Sequence, residues 1–263
     1  MTLNDLLSFL HGVDARPKKW LSQNFLIDPH VIEKILQTAD VQKGDSVLEI
    51  GPGPGALTKA LLDRGARVYA VEIDPLFAKE LQRFQNGELF VFEEDFLSFP
   101  MQRLPKGIKV VANLPYHITA PILERLFASS FSTLTLMVQK EVADRMMAKA
   151  NTKDFGSLSL FVQFYSEFIG AFTVPAPSFY PKPKVDSSVI RLDAKPLPPV
   201  DPAHFFSLVH KAFQQRRKML TTSLGKAKET VREALCTIGI RPDARPENLS
   251  LSHWVKFINT VTF

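Results

Sequence analysis

Short apolar runs alternate with helical patterns between residues 46 and 140, and this alternation constrains the fold more than any other feature of the chain. The apolar runs are SVLEI at 46–50, RVYAVEI at 67–73, ELFVFEED at 88–95, IKVVANL at 108–114 and LTLMVQK at 134–140. The helical patterns between them are ALTKALLDRG at 56–65, PLFAKELQRF at 75–84 and TAPILERLFAS at 119–129. Strands that alternate with helices form βαβ units, so the sequence predicts an α/β fold with a parallel sheet covered on both faces.

The pattern changes after residue 166. The apolar runs EFIGAFTV at 167–174 and SSVIRL at 187–192 are joined by a proline-rich connector that has no helical pattern. Two strands joined without a helix favour an antiparallel pair, which we expect at the end of the sheet.

The last quarter of the chain has a different character. The segment KPLPPVDP at 195–202 indicates a linker, because its prolines cannot continue a helix or a strand. Beyond it, residues 205–225 have helical spacing and end at a glycine, and two more helices are expected near 226–238 and 250–260. The sequence therefore predicts a large α/β domain at 1–194 and a small all-α domain at 195–263.

The positive charge of the chain is concentrated in this small domain. Residues 195–263 contain 11 Lys and Arg against 5 Asp and Glu, whereas residues 1–194 contain 21 against 22. Such an asymmetry favours a polyanionic partner. The most basic run is Arg216, Arg217 and Lys218, which we expect to contact the phosphates of a nucleic acid.

The composition argues against several classes of protein. One cysteine excludes an internal disulfide framework and fits a reducing cytosol. No Cys and His cluster has zinc-ligand spacing, and no apolar run is long enough to cross a bilayer. The sequence has no long exposed apolar stripe of the kind that would indicate an obligate dimer. We therefore expect a soluble, cytoplasmic and monomeric protein without a metal site.

The first two strands end in residues suited to a nucleotide-like ligand. The first runs into LEIGPGPGALT, where Gly51, Gly53 and Gly55 permit unusual dihedrals and a close approach of a ligand to the backbone. The second ends in Glu72, about where an acid would reach the two hydroxyls of a ribose. A triple-glycine turn alone is a weak signal, since many turns have one.

The third strand ends in EEDF at 93–96, in which Asp95 and Phe96 are suited to hold an adenine ring. Ile73, next to Glu72, joins them as a candidate cofactor-binding residue. Each acid taken singly is more often a solvated strand end. Together they are more informative, because ligands of open α/β sheets bind at the carboxyl ends of the strands.

Two cofactor classes fit such an edge. A nicotinamide enzyme would need a second parallel half and a hydride partner, and the sequence offers no clear second half. The antiparallel pair after residue 167 instead favours the Rossmann-like sheet of class I S-adenosylmethionine-dependent methyltransferases.

The fourth strand ends in NLPY, residues 113–116, which supplies the groups that methylation of an adenine amine requires. That amine is a poor nucleophile because its lone pair is delocalised into the ring. The side-chain carbonyl of Asn113 and the main-chain carbonyl of Leu114 would hold its hydrogens and localise the lone pair. Pro115 would fix the direction of that carbonyl, and Tyr116 offers a ring on which the base stacks, worth roughly 1–3 kcal/mol.

The chain closely resembles the KsgA/RsmA family of ribosomal RNA adenine N6,N6-dimethyltransferases. The resemblance rests on LSQNFL at 21–26, LEIGPGPGALT at 48–58, VEID at 71–74, EEDFL at 93–97, NLPY at 113–116, FYPKPKVDSS at 179–188 and AFQQRRKML at 212–220. Motifs in this order cover nearly the whole chain, and their combination is highly specific.

The resemblance implies a role for each matching residue. It implies an S-adenosylmethionine site made by Asn24, Leu26, Gly51, Glu72, Asp95 and Asn113. It also implies that the target adenine is flipped out of its RNA stack and held between Tyr116 and Phe179. Its bacterial members dimethylate two adjacent adenines in the hairpin loop near the 3′ end of 16S rRNA, late in 30S subunit assembly.

Two positions depart from the family pattern. Ser22 stands where glycine is general, so its backbone either adopts ordinary dihedrals or accepts strain. His117 follows NLPY where asparagine is common, and a histidine in such a place more often packs or hydrogen-bonds than acts as a base.

Three alternatives are compatible with parts of the sequence. A macrolide-resistance methyltransferase acts on large-subunit RNA, but the basic AFQQRRKML and the KPKVDSS form favour the small-subunit enzymes. A DNA adenine methyltransferase would share the NLPY-like motif and lack the C-terminal one. An assembly or transcription factor without activity would not need intact Glu72, Asp95 and NLPY.

Overall fold

The protein is described by a computed structural model that covers residues 1–225 and 228–261. Its strands are β1 Phe25–Leu26, β2 Ser46–Ile50, β3 Arg67–Glu72, β4 Leu89–Glu93, β5 Ile108–Asn113, β6 Phe131–Gln139, β7 Ser166–Val174, β8 Phe179–Tyr180 and β9 Ser187–Ala194. Its helices are α1 Leu3–Gly12, α2 Pro29–Ala39, α3 Ala56–Asp63, α4 Pro75–Glu80, α5 Thr119–Phe127, α6 Lys140–Met147, α7 Ser157–Tyr165, α8 Pro202–Gln214, α9 Leu220–Ser223, α10 Lys228–Thr237 and α11 Leu251–Thr260.

Within these residues the main sheet has seven strands in the order β4-β3-β2-β5-β6-β9-β7. Strands β2 to β6 are parallel, and β9 runs antiparallel to β6 beside the edge strand β7. This confirms the predicted Rossmann-like class I methyltransferase sheet with its terminal strands. The strand order reverses between β2 and β5, so a crevice is expected at their carboxyl ends.

Two helices that lead away from this edge begin in the same way. Asp28 precedes Pro29 and accepts hydrogen bonds from the N–H groups of the first turn of α2. Asp74 accepts one such bond, from the Leu76 N–H, in α4, which begins at Pro75. An acid at the N-cap and a proline at the first helical position both favour a helix start, so sequence fixes these starts locally.

The chain divides into two compact units. One contains Met1–Ala143 and Phe168–Ala194, and the other contains Asp144–Glu167 together with the residues from Lys195 onward. The division differs from the predicted 1–194 and 195–263 in one segment. Residues 144–167 join the C-terminal helices because the apolar side chains of this segment pack in the same core. The members of that core include Phe155, Leu160, Phe164, Phe205, Val209, Trp254 and Phe257.

The single helix predicted over 205–225 is wrong. Helix α8 ends at Gln214, and α9 covers only Leu220–Ser223. Between them the chain turns, with the Lys218 N–H donating to the carbonyl of Gln215 at 2.8 Å. The apolar spacing continued across the turn because both short helices face the same core.

The other helices of the small domain agree with expectation. Helices α10 and α11 correspond to the predictions near 226–238 and 250–260, although residues 226 and 227 lie outside the described residues. No helix in residues 1–225 or 228–261 is long and apolar enough to span a membrane.

Candidate active site

A cleft of about 260 Å³ opens at the carboxyl ends of β2, β3 and β5, where the strand order reverses. Most of the residues that the sequence singles out line it: Asn24, Leu26, Gly51, Gly53, Glu72, Ile73, Asp95, Phe96, Asn113, Leu114, Pro115 and Tyr116. Gly55 and Phe179 do not line it. Parallel strands deliver these groups to one edge, as the alternating pattern predicted, except Asn24 and Leu26, which come from the segment at β1.

The glycine turn after β2 depends on backbone angles that other residues rarely adopt. Gly51 and Gly53 have φ of 66° and 55°. A Cβ on Gly53 would lie 3.1 Å from the ring of Phe25, so a residue without a side chain fits best at this position. Gly55 has a different task, because a Cβ there would meet Phe84 at 2.6 Å. It lets the turn pack tightly beneath the cleft.

Glu72 at the end of β3 connects two neighbouring loops. Its Oε2 accepts the Gly53 N–H and its Oε1 accepts the Asp74 N–H, each at 2.8 Å. Burial raises the pKa of this carboxyl above its ordinary value, and the two backbone N–H groups oppose that shift. The carboxyl therefore has a fixed orientation at the cleft wall.

The residues after β3 and β4 give the cleft a mixed wall. Ile73 is 46% exposed, which is unusual for an isoleucine and leaves an apolar face open to a ligand. Phe96 is buried, and Asp95 is exposed with its Oδ1 accepting the Leu97 N–H at 2.9 Å. An apolar face beside an acceptor carboxylate suits a flat, nitrogen-rich ring.

The NLPY segment is held on both sides of the strand end. The Asn113 side-chain nitrogen Nδ2 donates to the main-chain oxygen of Asn24 at 3.2 Å, so the amide nitrogen is engaged and Oδ1 is the atom left to accept. The Leu114 N–H donates to the Met137 carbonyl of β6 at 3.1 Å. Pro115 follows with φ of −60° and no N–H, which ends the ladder.

The two rings predicted to hold a base have different surroundings. Tyr116 lines the cleft, and its hydroxyl lies 2.5 Å from the Ser187 hydroxyl. Burial raises the pKa of Tyr116, so the phenol stays neutral near pH 7. Phe179 is only 2% exposed and packs in the core with Leu26, its partner across β1 and β8. Tyr116 is therefore the ring that this structure offers to a base.

Glu49 is a residue of the cleft that the sequence interpretation missed. It lies inside β2, is 2% exposed, and accepts the Thr58 hydroxyl at 2.7 Å. Its pKa is raised to about 8, mainly by burial and also by the nearby Glu72 charge, while the hydrogen bond from Thr58 opposes the shift. The signal was present, because an acid within the apolar run SVLEI is costly to bury unless it is neutral or paired.

The segment before β1 closes one side of the cleft. Asn24 is folded back, with its Nδ2 donating to the Ser22 carbonyl at 3.0 Å. Ser22 has a φ of 53°, so of the two possibilities raised by a serine at this position the chain adopts the strained one. Leu26 is buried beneath the cleft in the main core.

The three basic residues predicted to bind RNA do not share one environment. The Arg216 guanidinium donates to Glu247 at 2.5 Å and to the carbonyl of Lys153 at 2.6 Å within the C-terminal unit. Arg217 and Lys218 are exposed. Arg216 thus connects the 144–167 segment to the turn before α11, and the other two present their charge to solvent.

Comparisons with known proteins identify the family of the chain. The family model described as ribosomal RNA adenine dimethylase matches residues 15–262. A ribosomal RNA small subunit methyltransferase A from Protochlamydia amoebophila (strain UWE25) is 47% identical over 96% of this chain and 94% of its own length. The protein of that name from Chlamydia trachomatis serovar D is 42% identical over 98% of this chain and 97% of its length.

Solved structures show the same fold. A dimethyladenosine transferase from Plasmodium falciparum has a TM-score of 0.78 at 25% identity, covering 89% of this chain and 95% of that one. The 23S rRNA methyltransferase ErmE has a TM-score of 0.70 at 30% identity, covering 90% of this chain and 99% of that one.

The family match spans nearly the whole chain, and the resemblance of the motifs is confirmed. The chain therefore belongs to the ribosomal RNA adenine dimethylase family and is an S-adenosylmethionine-dependent rRNA adenine dimethyltransferase.

Proposed function

We propose that this enzyme methylates N6 of two adjacent adenines in the 3′-terminal hairpin loop of 16S rRNA, giving N6,N6-dimethyladenosine late in 30S subunit maturation. The observation that carries the proposal is the cleft at the strand ends, in which Glu72, Asp95 and the NLPY segment face the same space. The relatives at 41–47% identity are named for the small subunit, which supports the choice of RNA.

The residues of the cleft fit S-adenosylmethionine. A Cβ on Gly53 would crowd the turn, and Ile73 leaves an apolar face that a purine ring would cover. We assign Glu72 to the ribose hydroxyls and Asp95 to the adenine amine, with Asn24, Leu26, Gly51, Gly53, Ile73, Phe96 and Asn113 completing the site and Gly55 supporting the turn from below. When bound, this cofactor supplies an electrophilic methyl group on a sulfonium.

The chain's own contribution to the chemistry is to hold the amine of the target adenine. Asn113 Oδ1 and the Leu114 carbonyl accept its two hydrogens. Pro115 fixes the backbone between Leu114 and Tyr116. The nitrogen lone pair then points away from the ring plane. Positioning and electrostatics of this kind account for most of the rate in a direct transfer.

A basic residue is not required before the attack. Tyr116 keeps its proton near pH 7, because burial raises its pKa, and it acts as a stacking face. Phe179 would serve as a second face only if its ring left the core, where it is 2% exposed. The proton leaves after transfer, when the nitrogen carries a positive charge and is strongly acidic.

The C-terminal unit supplies the RNA-binding surface in this proposal. Arg217 and Lys218 are exposed and suited to bind phosphates. Arg216 stabilises the turn that contains these two residues through its bond to Glu247. We further propose that the enzyme acts as a monomer in the cytoplasm, where its substrate is the 30S subunit or its precursor.

A second substrate has a specific observation in its favour. The structure of the 23S rRNA methyltransferase ErmE resembles this chain with a TM-score of 0.70. Methylation of 23S rRNA is therefore the alternative that an experiment must separate from the proposal.

The test is to incubate the purified protein with unmethylated 30S subunits, with 50S subunits and with labelled S-adenosylmethionine. Digestion to nucleosides then identifies the product. The proposal predicts N6,N6-dimethyladenosine in 16S rRNA alone, at two adjacent positions of the 3′ hairpin loop. Label in 23S rRNA, or monomethyladenosine as the final product, would contradict it.

A further inference from the structure

Two polar residues of the cleft, Ser22 and His117, contact each other. Ser22 Oγ lies 2.9 Å from His117 Nδ1, a hydrogen bond between residues 95 positions apart in the sequence. Both residues line the cleft, Ser22 half-buried and His117 exposed. Ser22 belongs to the segment that precedes β1, and His117 follows NLPY after β5.

The backbone of Ser22 adopts a strained conformation. Its φ of 53° lies in the left-handed region, which a residue with a Cβ adopts at a cost. A glycine would adopt the same angle without strain but has no hydroxyl. Serine can form the hydrogen bond to His117, and glycine cannot.

The segment 18–24 is anchored at a second point. Gln23 Nε2 donates to Asp74 Oδ2 at 3.0 Å, and Lys18 Nζ lies 2.9 Å from the same oxygen. Asp74 is 2% exposed, and its own N–H donates to Glu72. The segment is therefore fixed to Asp74, whose N–H in turn donates to Glu72, the acid that we assign to the ribose.

The segment is also connected to the NLPY side. The Ser22 carbonyl accepts from Asn24 Nδ2 at 3.0 Å, and the Asn24 carbonyl accepts from Asn113 Nδ2 at 3.2 Å. The Ser22–His117 bond is exposed, whereas the bonds of Gln23, Asn24 and Asn113 are partly buried.

We propose that the Ser22–His117 hydrogen bond is a clasp that holds segment 18–24 over the cofactor and strengthens its binding. Both are positioning residues, since neither needs to contact the reacting atoms. The inference deepens the proposed function and rests on the cleft binding S-adenosylmethionine. Its expected signature is a change in cofactor affinity with little change in the rate of transfer at saturation.

A double-mutant cycle tests the clasp. The variants are Ser22→Ala, His117→Ala and the double variant, with binding of S-adenosylhomocysteine measured by calorimetry. Each single change should weaken binding by about three- to ten-fold, the value of one hydrogen bond, and the double variant should be no weaker than the worse single one. The KM for the donor should rise by the same factor, while kcat changes less than about two-fold.

Ser22→Gly separates the hydrogen bond from the backbone. This variant relieves the left-handed strain and removes the hydroxyl, so the clasp predicts weaker binding in spite of the relief. If Ser22→Gly bound S-adenosylhomocysteine as tightly as the wild type, only the backbone would matter, and the clasp would be overturned. Additive losses in the double variant would do the same, because independent residues add.

Amide hydrogen exchange in the cofactor-free protein tests the clasp without any donor. Peptides that cover residues 18–24 should exchange faster in Ser22→Ala and in His117→Ala. The exchange of peptides in β2 and β3 should not change. Unchanged exchange in both variants refutes the clasp even if the wild type binds donor. A wild type that binds no donor refutes the proposed function, and this exchange result still decides the clasp.

Discussion

The carboxyl edge of the sheet and the basic turn between α8 and α9 were both predicted as functional regions from their sequence. At the sheet edge, residues far apart in the chain come together, and Glu72 and Asn113 both line one cleft. In the basic turn, three neighbouring residues separate, because Arg216 binds Glu247 while Arg217 and Lys218 remain exposed.

The difference follows from what fixes each region. Parallel pairing of strands determines where their ends lie, so a group at a strand end has a predictable place. A run of charges in a turn has no such constraint, and each side chain takes the partner that the local packing offers. Position along a strand therefore predicts a site better than proximity in sequence does.

The largest effect is expected at the strand edge. Asn113→Ala removes the acceptor that holds the target amine, so methyl transfer should fall by about 10²-fold or more, the scale found for removing one preorganised electrostatic group. Binding of S-adenosylhomocysteine should stay within a few-fold. The measurement is single-turnover transfer to 30S subunits alongside calorimetry. Transfer at the wild-type rate would remove Asn113 from the mechanism.

The next prediction concerns the buried acid at the same edge. The folded-state pKa of Glu49 is about 8, above the ordinary 4.5, so the native state keeps a proton that the unfolded state releases. The free energy of unfolding should therefore fall as pH rises from 4.5 towards 8. The contribution of this group is at most about 1.4 kcal/mol per pH unit.

Glu49→Gln should remove that fall, because an amide does not titrate. Denaturant unfolding of both proteins at several pH values measures it. Thr58→Val offers a matched variant, since it removes the hydroxyl that lowers the pKa of Glu49 and should extend the fall to higher pH. Parallel pH curves for the wild type and Glu49→Gln would show that Glu49 is not protonated in the folded state.

A smaller effect is expected in the C-terminal unit. Arg216→Met loses the bonds to Glu247 and to the Lys153 carbonyl, and should lower the free energy of unfolding by about 1–2 kcal/mol. The exposed Arg217→Met should change it by less than about 0.5 kcal/mol. Fluorescence of the fully buried Trp254 reports unfolding of this unit. If the two variants lowered the free energy of unfolding equally, Arg216 would contribute no more to stability than the exposed Arg217.

The smallest effect is on the salt dependence of RNA binding. If Arg217 and Lys218 contact phosphates, each change to glutamine should reduce the slope of log affinity against log salt by about 0.7–0.9. Lys59→Gln is the control, because Lys59 lies on α3 in an ion pair with Asp63. A slope that stays the same in both variants would refute the assignment of RNA binding to this turn.

These two regions also show what could be predicted from the sequence. The periodic runs predicted the parallel strands and the functional groups at their carboxyl ends. They did so because burial on both faces leaves a continuous apolar signal in each strand. The break after Gln214 was missed, since the apolar spacing of α8 and α9 serves one core and hides the turn. Long-range pairs such as Arg216 with Glu247 leave no local signal at all.

The same limit applies inside the site. Glu72 and the NLPY segment were predictable from their places at strand ends, whereas the burial of Phe179 depends on how β8 pairs with β1. The contact between Ser22 and His117 became visible only when distant segments were brought together. The sequence indicated that both positions were unusual and could not indicate that they were partners.

The central claim is that this cleft presents the methyl group of S-adenosylmethionine to the NLPY segment. A crystal structure of the protein with the intact cofactor tests it most directly. We predict the ribose on Glu72, the adenine beside Asp95, and the methyl carbon facing Asn113 Oδ1 and the Leu114 carbonyl. A methyl group directed away from residues 113–116, or a cofactor bound outside the cleft, would contradict the account.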